Sequence, residues 1–113
     1  MNPALVLLYM IASSQEEVER LGELLLQKRL VACANLLQGE MNSIFYWPGN
    51  LDHSKEQLVL LKTKQDHFSV IQKLLSEMHS YDSSCLLALP ILGRNPDFLN
   101  WIKEETHPQE LIG

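Results

Sequence analysis

The residue types that could hold a soft metal ion are few: Cys33, Cys85, His79, Met78 and Met10 are available. No CxxC, HxxxH or HExxH spacing ties them into a site. Thiolate ligands would favour copper(I) or zinc over magnesium or calcium. For each cysteine the favoured reading is a small buried apolar residue, the usual environment of a free thiol, with ligation as the alternative. His79 closes a helical pattern beside Ser80, Tyr81 and Asp82. An imidazolium there suits the carbonyl end of a helix, and ligation is the alternative. His53, His67 and His107 read as exposed loop or helix residues.

Lys62 interrupts an apolar strand pattern, where a buried ammonium is costly without a carboxylate or a bound anion. Glu56 and Asp82 are candidate ion-pair partners, with anion binding or proton transfer as the alternative. Phe45, Tyr46 and Trp47 could form an aromatic ligand surface. Packing against a neighbouring subunit, or against a tail helix through Trp101, is the better reading. No phosphate-binding glycine loop, GxSxG elbow or Ser-His-Asp spacing occurs, so no catalytic motif is recognised.

These residues must be positioned by a small set of elements. Residues 4 to 12 form an unbroken apolar run, as in a strand buried on both faces. Ser13 or Ser14 can cap the following helix, with Glu16 and Glu17 in its first turn. Val18, Leu21, Leu24 and Leu25 mark its inner face, and Lys28 and Arg29 suit its last turn, so it is expected to end near Arg29. Leu30 to Trp47 reads as one long strand bent near Gly39, joined through Trp47-Pro48-Gly49-Asn50 to a strand over 57 to 63. Phe68, Ile71, Leu74, Leu75 and Met78 predict a second helix, and 85 to 91 a fourth strand. Asn95 and Pro96 open a third helix that turns Leu99 and Ile102 inward.

The order is that of an α+β, ferredoxin-like split βαβ sandwich (βαββαβ) with an added C-terminal helix. Two right-handed crossovers place the main helices on one face. The other face is apolar as well, so self-association is expected to cover it. One domain over 1–113 is expected, with its core at about 5–105. Nine Lys and Arg stand against 14 Asp and Glu, a net charge of −5, with the basic residues spread from Arg20 to Lys103. That distribution argues against nucleic acid. The run from Ala4 to Ala12 is too short to span a bilayer and has no preceding cation, so neither a signal peptide nor membrane insertion is expected. Two cysteines fit a reducing cytoplasm.

Val31-Ala32-Cys33-Ala34-Asn35, Phe45-Tyr46-Trp47 before Pro48-Gly49, Lys62-Thr63, His79-Ser80-Tyr81, Leu89-Pro90-Ile91 and Trp101-Ile102 together resemble the CutA divalent-cation-tolerance family. The likeness implies a homotrimer of ferredoxin-like subunits, similar to the PII signalling proteins. It also implies a role in the response to metal ions, with copper or a similar divalent ion as ligand and no established reaction. Cys33 matches the family's cysteine, and Trp47, Lys62, His79, Tyr81 and Trp101 match positions associated with a cleft between subunits. The expected metal set is therefore Cys33, His79 and Cys85, and the expected cleft set Trp47, Lys62, Tyr81, Asp82 and Trp101. The chain departs from the family where His-Pro-Tyr-Glu and then Val-Pro-Glu become His79-Ser80-Tyr81-Asp82 and Ser83-Ser84-Cys85. A thiol in place of a carboxylate shifts such a site toward softer ions, and losing both prolines loosens the loop. The alternative is a PII-like signalling or scaffold trimer that binds a small anion at Lys62.

Overall fold

The computed structural model describes residues 4–78, 85–93 and 95–107. Its elements run β1 (Leu5–Ala12), α1 (Gln15–Gln27), β2 (Cys33–Leu36), β3 (Met41–Tyr46), β4 (Leu51–Lys64), a 3₁₀ turn (Gln65–His67), α2 (Phe68–Met78), β5 (Cys85–Pro90) and α3 (Pro96–Glu105). Helix α1 starts where the extended Ser14 accepts from the Glu17 backbone N–H at 3.1 Å. The Glu17 carboxylate in turn accepts from the Ser13 N–H and hydroxyl, both at 3.2 Å, so orphan donors of the first turn are satisfied from both sides. The helix closes at Gln27, two residues before the expected end, because Arg29 adopts a left-handed conformation with φ 59°. Lys28 and Arg29 thus lie beyond the last turn, and Arg29 Nη1 donates to Glu105 Oε1 of α3 at 2.7 Å.

The expected long strand from Leu30 to Trp47 is divided. Leu36 pairs with Val59 and Met41 with Glu56, so the four residues 37–40 face only two of β4. The surplus breaks the ladder at Gly39, whose φ of +86° is open to glycine and strained for other residues. Strand β4 is correspondingly longer than expected. Its inner half pairs with β2, and its outer half, from Leu51, pairs with β3 as a projecting hairpin. The expected turn closes that hairpin: the Trp47 N–H donates to the Asn50 carbonyl at 2.9 Å, and Gly49 takes φ +82°.

The sheet order is β2-β4-β1-β5, all antiparallel. Alternation sends Val6, Leu8, Met10 and Ala12 of β1, with Val59 and Leu61 of β4, to one face. There they are buried with Val18, Leu21 and Leu25 of α1 and Ile71 and Leu75 of α2. This is the expected two-layer core. The opposite face carries Leu7, Tyr9 and Ile11 beside Lys62, Leu60 and Leu58 on one side and Leu89, Leu87 and Cys85 on the other. Helix α3 covers one end of it, burying Leu99 and Ile102 with Leu5 and Ala32. Asn95 caps that helix as expected, its Oδ1 accepting from the Phe98 N–H at 2.8 Å. Leu87 and Leu89 remain exposed, so the open apolar face expected from the sequence is present in the single chain.

Candidate functional site

Cys33 opens the edge strand β2 as the direct partner of Lys62, so both side chains lie on the open face. The Cys33 thiol donates to Asn35 Oδ1 on the same face, at 3.5 Å. Lys62 is half-buried and holds its Nζ 5.5 Å from the centre of the Phe98 ring. Phe98 lies 5.5 Å from Trp101, the two rings inclined at 35°. Helix α3 therefore brings Phe98 near Lys62 and Trp101 against Phe98, whereas the sequence singles out Trp101 and not Phe98. The i, i+4 spacing of Phe98 to the buried Ile102 is the signal that could have found it.

Glu56 does not pair with Lys62. Both sit on β4, six residues and hence about 20 Å apart. The Phe98 ring lies near the ammonium, and among the described residues, which do not include Asp82, no Asp or Glu lies within ion-pair distance of Lys62. Trp47 lies at the far end of the hairpin, 68 % exposed. Eleven residues of β4 separate Lys62 from Leu51 at the hairpin's end, so Trp47 and Lys62 stand about 35 Å apart within one chain.

Cys85 begins the other edge strand, β5, opposite Ile11. It shares the open face with Cys33, but three strand spacings and four residues of offset separate them, about 19 Å in all. Burial first, and the Glu56 carboxylate second, push the Cys85 thiol above its ordinary 9.0. Met10 is fully buried on the helix-covered face, and Met78 packs against the same core, so both serve as apolar filling. His79, Tyr81 and Asp82 lie outside the described residues. Among the described residues, no three His, Cys, Asp or Glu side chains are grouped to hold a metal ion.

His53 and His107 are exposed as expected, whereas His67 is buried. It continues the buried line of Ile71 and Leu75 at i, i+4 spacing, the pattern that would have placed it inside. Its Nδ1 lies 3.1 Å from Thr63 Oγ1 and 3.0 Å from the Leu30 carbonyl.

The family model described as CutA1 divalent ion tolerance protein matches residues 6–105. A divalent-cation tolerance protein CutA of Archaeoglobus fulgidus is 36% identical over 97 residues, covering 86% of this chain and 93% of that one. Its counterpart in Pyrococcus horikoshii is 31% identical over 102 residues, covering 90% and 98%. Among solved structures, CutA1 from Oryza sativa superposes with a TM-score of 0.89 at 26% identity, over 94% of this chain and 96% of that one. The Archaeoglobus fulgidus structure, titled as a periplasmic divalent cation tolerance protein, gives 0.86 at 34% identity over 91% and 99%. With the fold and a match over nearly its whole length in agreement, the chain belongs to the CutA1 divalent ion tolerance family.

Proposed function

We propose that the chain works as a homotrimer in the response to metal ions, binding copper or a similar ion in a cleft between subunits. Cys33, His79 and Cys85 are the proposed ligands, and Trp47, Lys62, Tyr81, Asp82 and Trp101 line the proposed cleft. The observation that carries this reading is the placement of Cys33 and Cys85 on one face but on opposite edge strands. One ion cannot reach both thiols within a subunit. A ring of copies built by a repeated head-to-tail contact sets the β2 edge of one against the β5 edge of the next, which brings the two kinds of thiol toward each other. The same contact supplies the Trp47 of a neighbour to a cleft that its own subunit's Trp47 cannot reach. It also covers Leu87, Leu89 and the hairpin's Tyr46, 75 % exposed in the single chain. The two free thiols support the cytoplasm as the compartment.

Native mass spectrometry of the metal-stripped protein titrated with copper(I), copper(II) and zinc tests the reading. The expected result is a trimer that takes up about one ion per subunit, with uptake lost in the Cys33→Ser, His79→Ala double variant. Uptake equal to wild type in that variant overturns the ligand assignment. The second reading, a PII-like trimer that binds a small anion, rests on Lys62, whose charge meets Phe98 and no described carboxylate. Metabolite-induced thermal stabilisation that vanishes in Lys62→Ala supports it, and its absence across a metabolite panel counts against it.

A further inference from the structure

In a two-layer sandwich the strand residues that face the helices are normally buried, and β5 departs from this at its end. Val6 pairs with Pro90 and Leu8 with Ala88, so Ala88 and Pro90 share the helix-covered face with the core. Both are nevertheless exposed. Helix α2 starts at Phe68, but its buried residues Ile71 and Leu75 join the core that α1 shares. A methyl group and a proline ring do not fill the space that remains. It is an apolar cleft of about 640 Å³ between the start of α2 and the end of β5, lined by Val6, Phe68, Ala88, Pro90 and Leu92, with Gln65 as a polar neighbour. Water in such a cleft leaves apolar surface hydrated, and an apolar occupant removes that cost.

The chain itself supplies an occupant within reach. The Arg29–Glu105 pair at 2.7 Å and the buried Ile102 hold the end of α3 beside the end of α1. Thr106 closes the helix, its N–H and hydroxyl both donating to the Ile102 carbonyl. The charge of the next residue, His107, is felt by the His67 ring. That sets His107 within about 10 Å of the 3₁₀ turn, since more distant charges are screened. Phe68 follows His67 directly, and β4, which leads into the turn, lies two strand spacings, or about 10 Å, from β5. Beyond His107, the last described residue, the sequence reads Pro108-Gln109-Glu110-Leu111-Ile112-Gly113, outside the residues that the family model matches. Leu111 and Ile112 stand four and five residues past His107, a reach of up to about 14 and 17 Å.

We propose that this C-terminal segment is a strap that seats Leu111 and Ile112 of the same chain in the cleft, against Phe68 and Ala88. Two aliphatic side chains gain burial there, and Ala88 and Pro90 gain the cover that α2 does not give them. The strap crosses the end of the sheet and ties α3, on one face, to α2 and β5 on the other. Because α3 carries Phe98 and Trp101, it also steadies the aromatic pair beside Lys62. It involves neither a metal ion nor a neighbouring subunit.

Methyl NMR on the metal-free full chain tests the strap. With Leu, Ile and Ala methyls and Phe rings isotope-labelled, the expected result is nuclear Overhauser contacts from the Leu111 and Ile112 methyls to the Phe68 ring and the Ala88 methyl. These contacts should survive dilution of labelled chains into an excess of unlabelled ones, which removes contacts between copies. Absence of any contact from these methyls to Phe68 or Ala88 overturns the strap, whether the cleft is then empty or holds another molecule. Contacts that vanish on dilution overturn it in favour of a neighbouring copy's tail. A second measurement reads the cleft itself. The Leu111→Ser, Ile112→Ser double variant is expected to bind the apolar dye anilinonaphthalene sulfonate with stronger fluorescence than wild type. Adding Ala88→Leu, which fills the cleft, is expected to remove that gain. Equal fluorescence in wild type and the double variant, or a gain that Ala88→Leu leaves intact, overturns the strap.

Discussion

Lys62 rests its Nζ 5.5 Å from the centre of the Phe98 ring, so the one cation inside an apolar strand pattern is held by an aromatic of α3. The contact joins the end of the chain to the row that carries Cys33, and it leaves the ammonium able to meet an anion from outside. Helix α3 therefore does two things at once, covering one end of the open face and placing the Phe98 ring beside the Lys62 ammonium.

The cation–π contact is measurable as a coupling. In a cycle of Phe98→Leu, Lys62→Met and the double variant, urea unfolding at one fixed protein concentration is expected to give an interaction energy of about 0.5–1 kcal/mol. Additive single effects would show that Lys62 gains nothing from the ring.

Removing the anchor of α3 should cost far more. Ile102 is fully buried in the cluster with Leu5, Ala32 and Leu99. Ile102→Ala is expected to lower stability by about 2–5 kcal/mol, through lost burial and the cavity left behind. The same urea titration, followed by tryptophan fluorescence in a Trp47→Phe background so that Trp101 alone reports, measures it. A loss below about 1 kcal/mol would mean that α3 is a detachable appendage.

Cys85 should label late in a pH series. In a Cys33→Ser background, the rate of alkylation by iodoacetamide is expected to reach half its plateau above pH 9.0, because burial and Glu56 both oppose the thiolate. Glu56→Gln should move that midpoint down. The sign for folding follows: a thiol raised in the folded state contributes stability that is complete below the ordinary value and is lost as pH rises through the folded one. A wild-type midpoint at or below 9.0 contradicts the placement of Cys85.

Gly22 sits inside α1 against β2, where an added Cβ would meet the Ala34 Cβ at 3.4 Å, an ordinary contact. Gly22→Ala is therefore expected to stabilise the protein by about 0.5 kcal/mol, since glycine in a helix interior is the less favourable residue. Gly22→Leu should have the opposite sign, because its longer side chain enters the space of Ala34 and Leu36. Thermal unfolding of the two variants at equal concentration separates these signs.

Periodicity and turn chemistry are local properties, and they placed most of the architecture. The helical spacing of Val18, Leu21 and Leu25, the Asn95 cap and the Trp47-Pro48-Gly49-Asn50 turn each act over a few residues. Strand order and the open apolar face followed, because two right-handed crossovers leave few alternatives. A bend at Gly39 was legible, but its dividing the strand in two and the full length of β4 were not. They arise from how many residues of one strand oppose another, and a sequence that is apolar on both faces does not state its own register.

The candidate site divides in the same way. Sequence singled out Lys62 as out of keeping with bland packing, while Cys33 and Trp101 joined it as candidates through the family likeness. Only the tertiary structure set Phe98 over Lys62, put Cys33 and Cys85 on opposite edges of one face, and turned His67 inward. Each of those facts is a distance between residues far apart in the chain, fixed by sheet pairing and by the docking of α3. A side chain's type announces what chemistry it can do, while its partner is chosen by packing that the whole chain decides together.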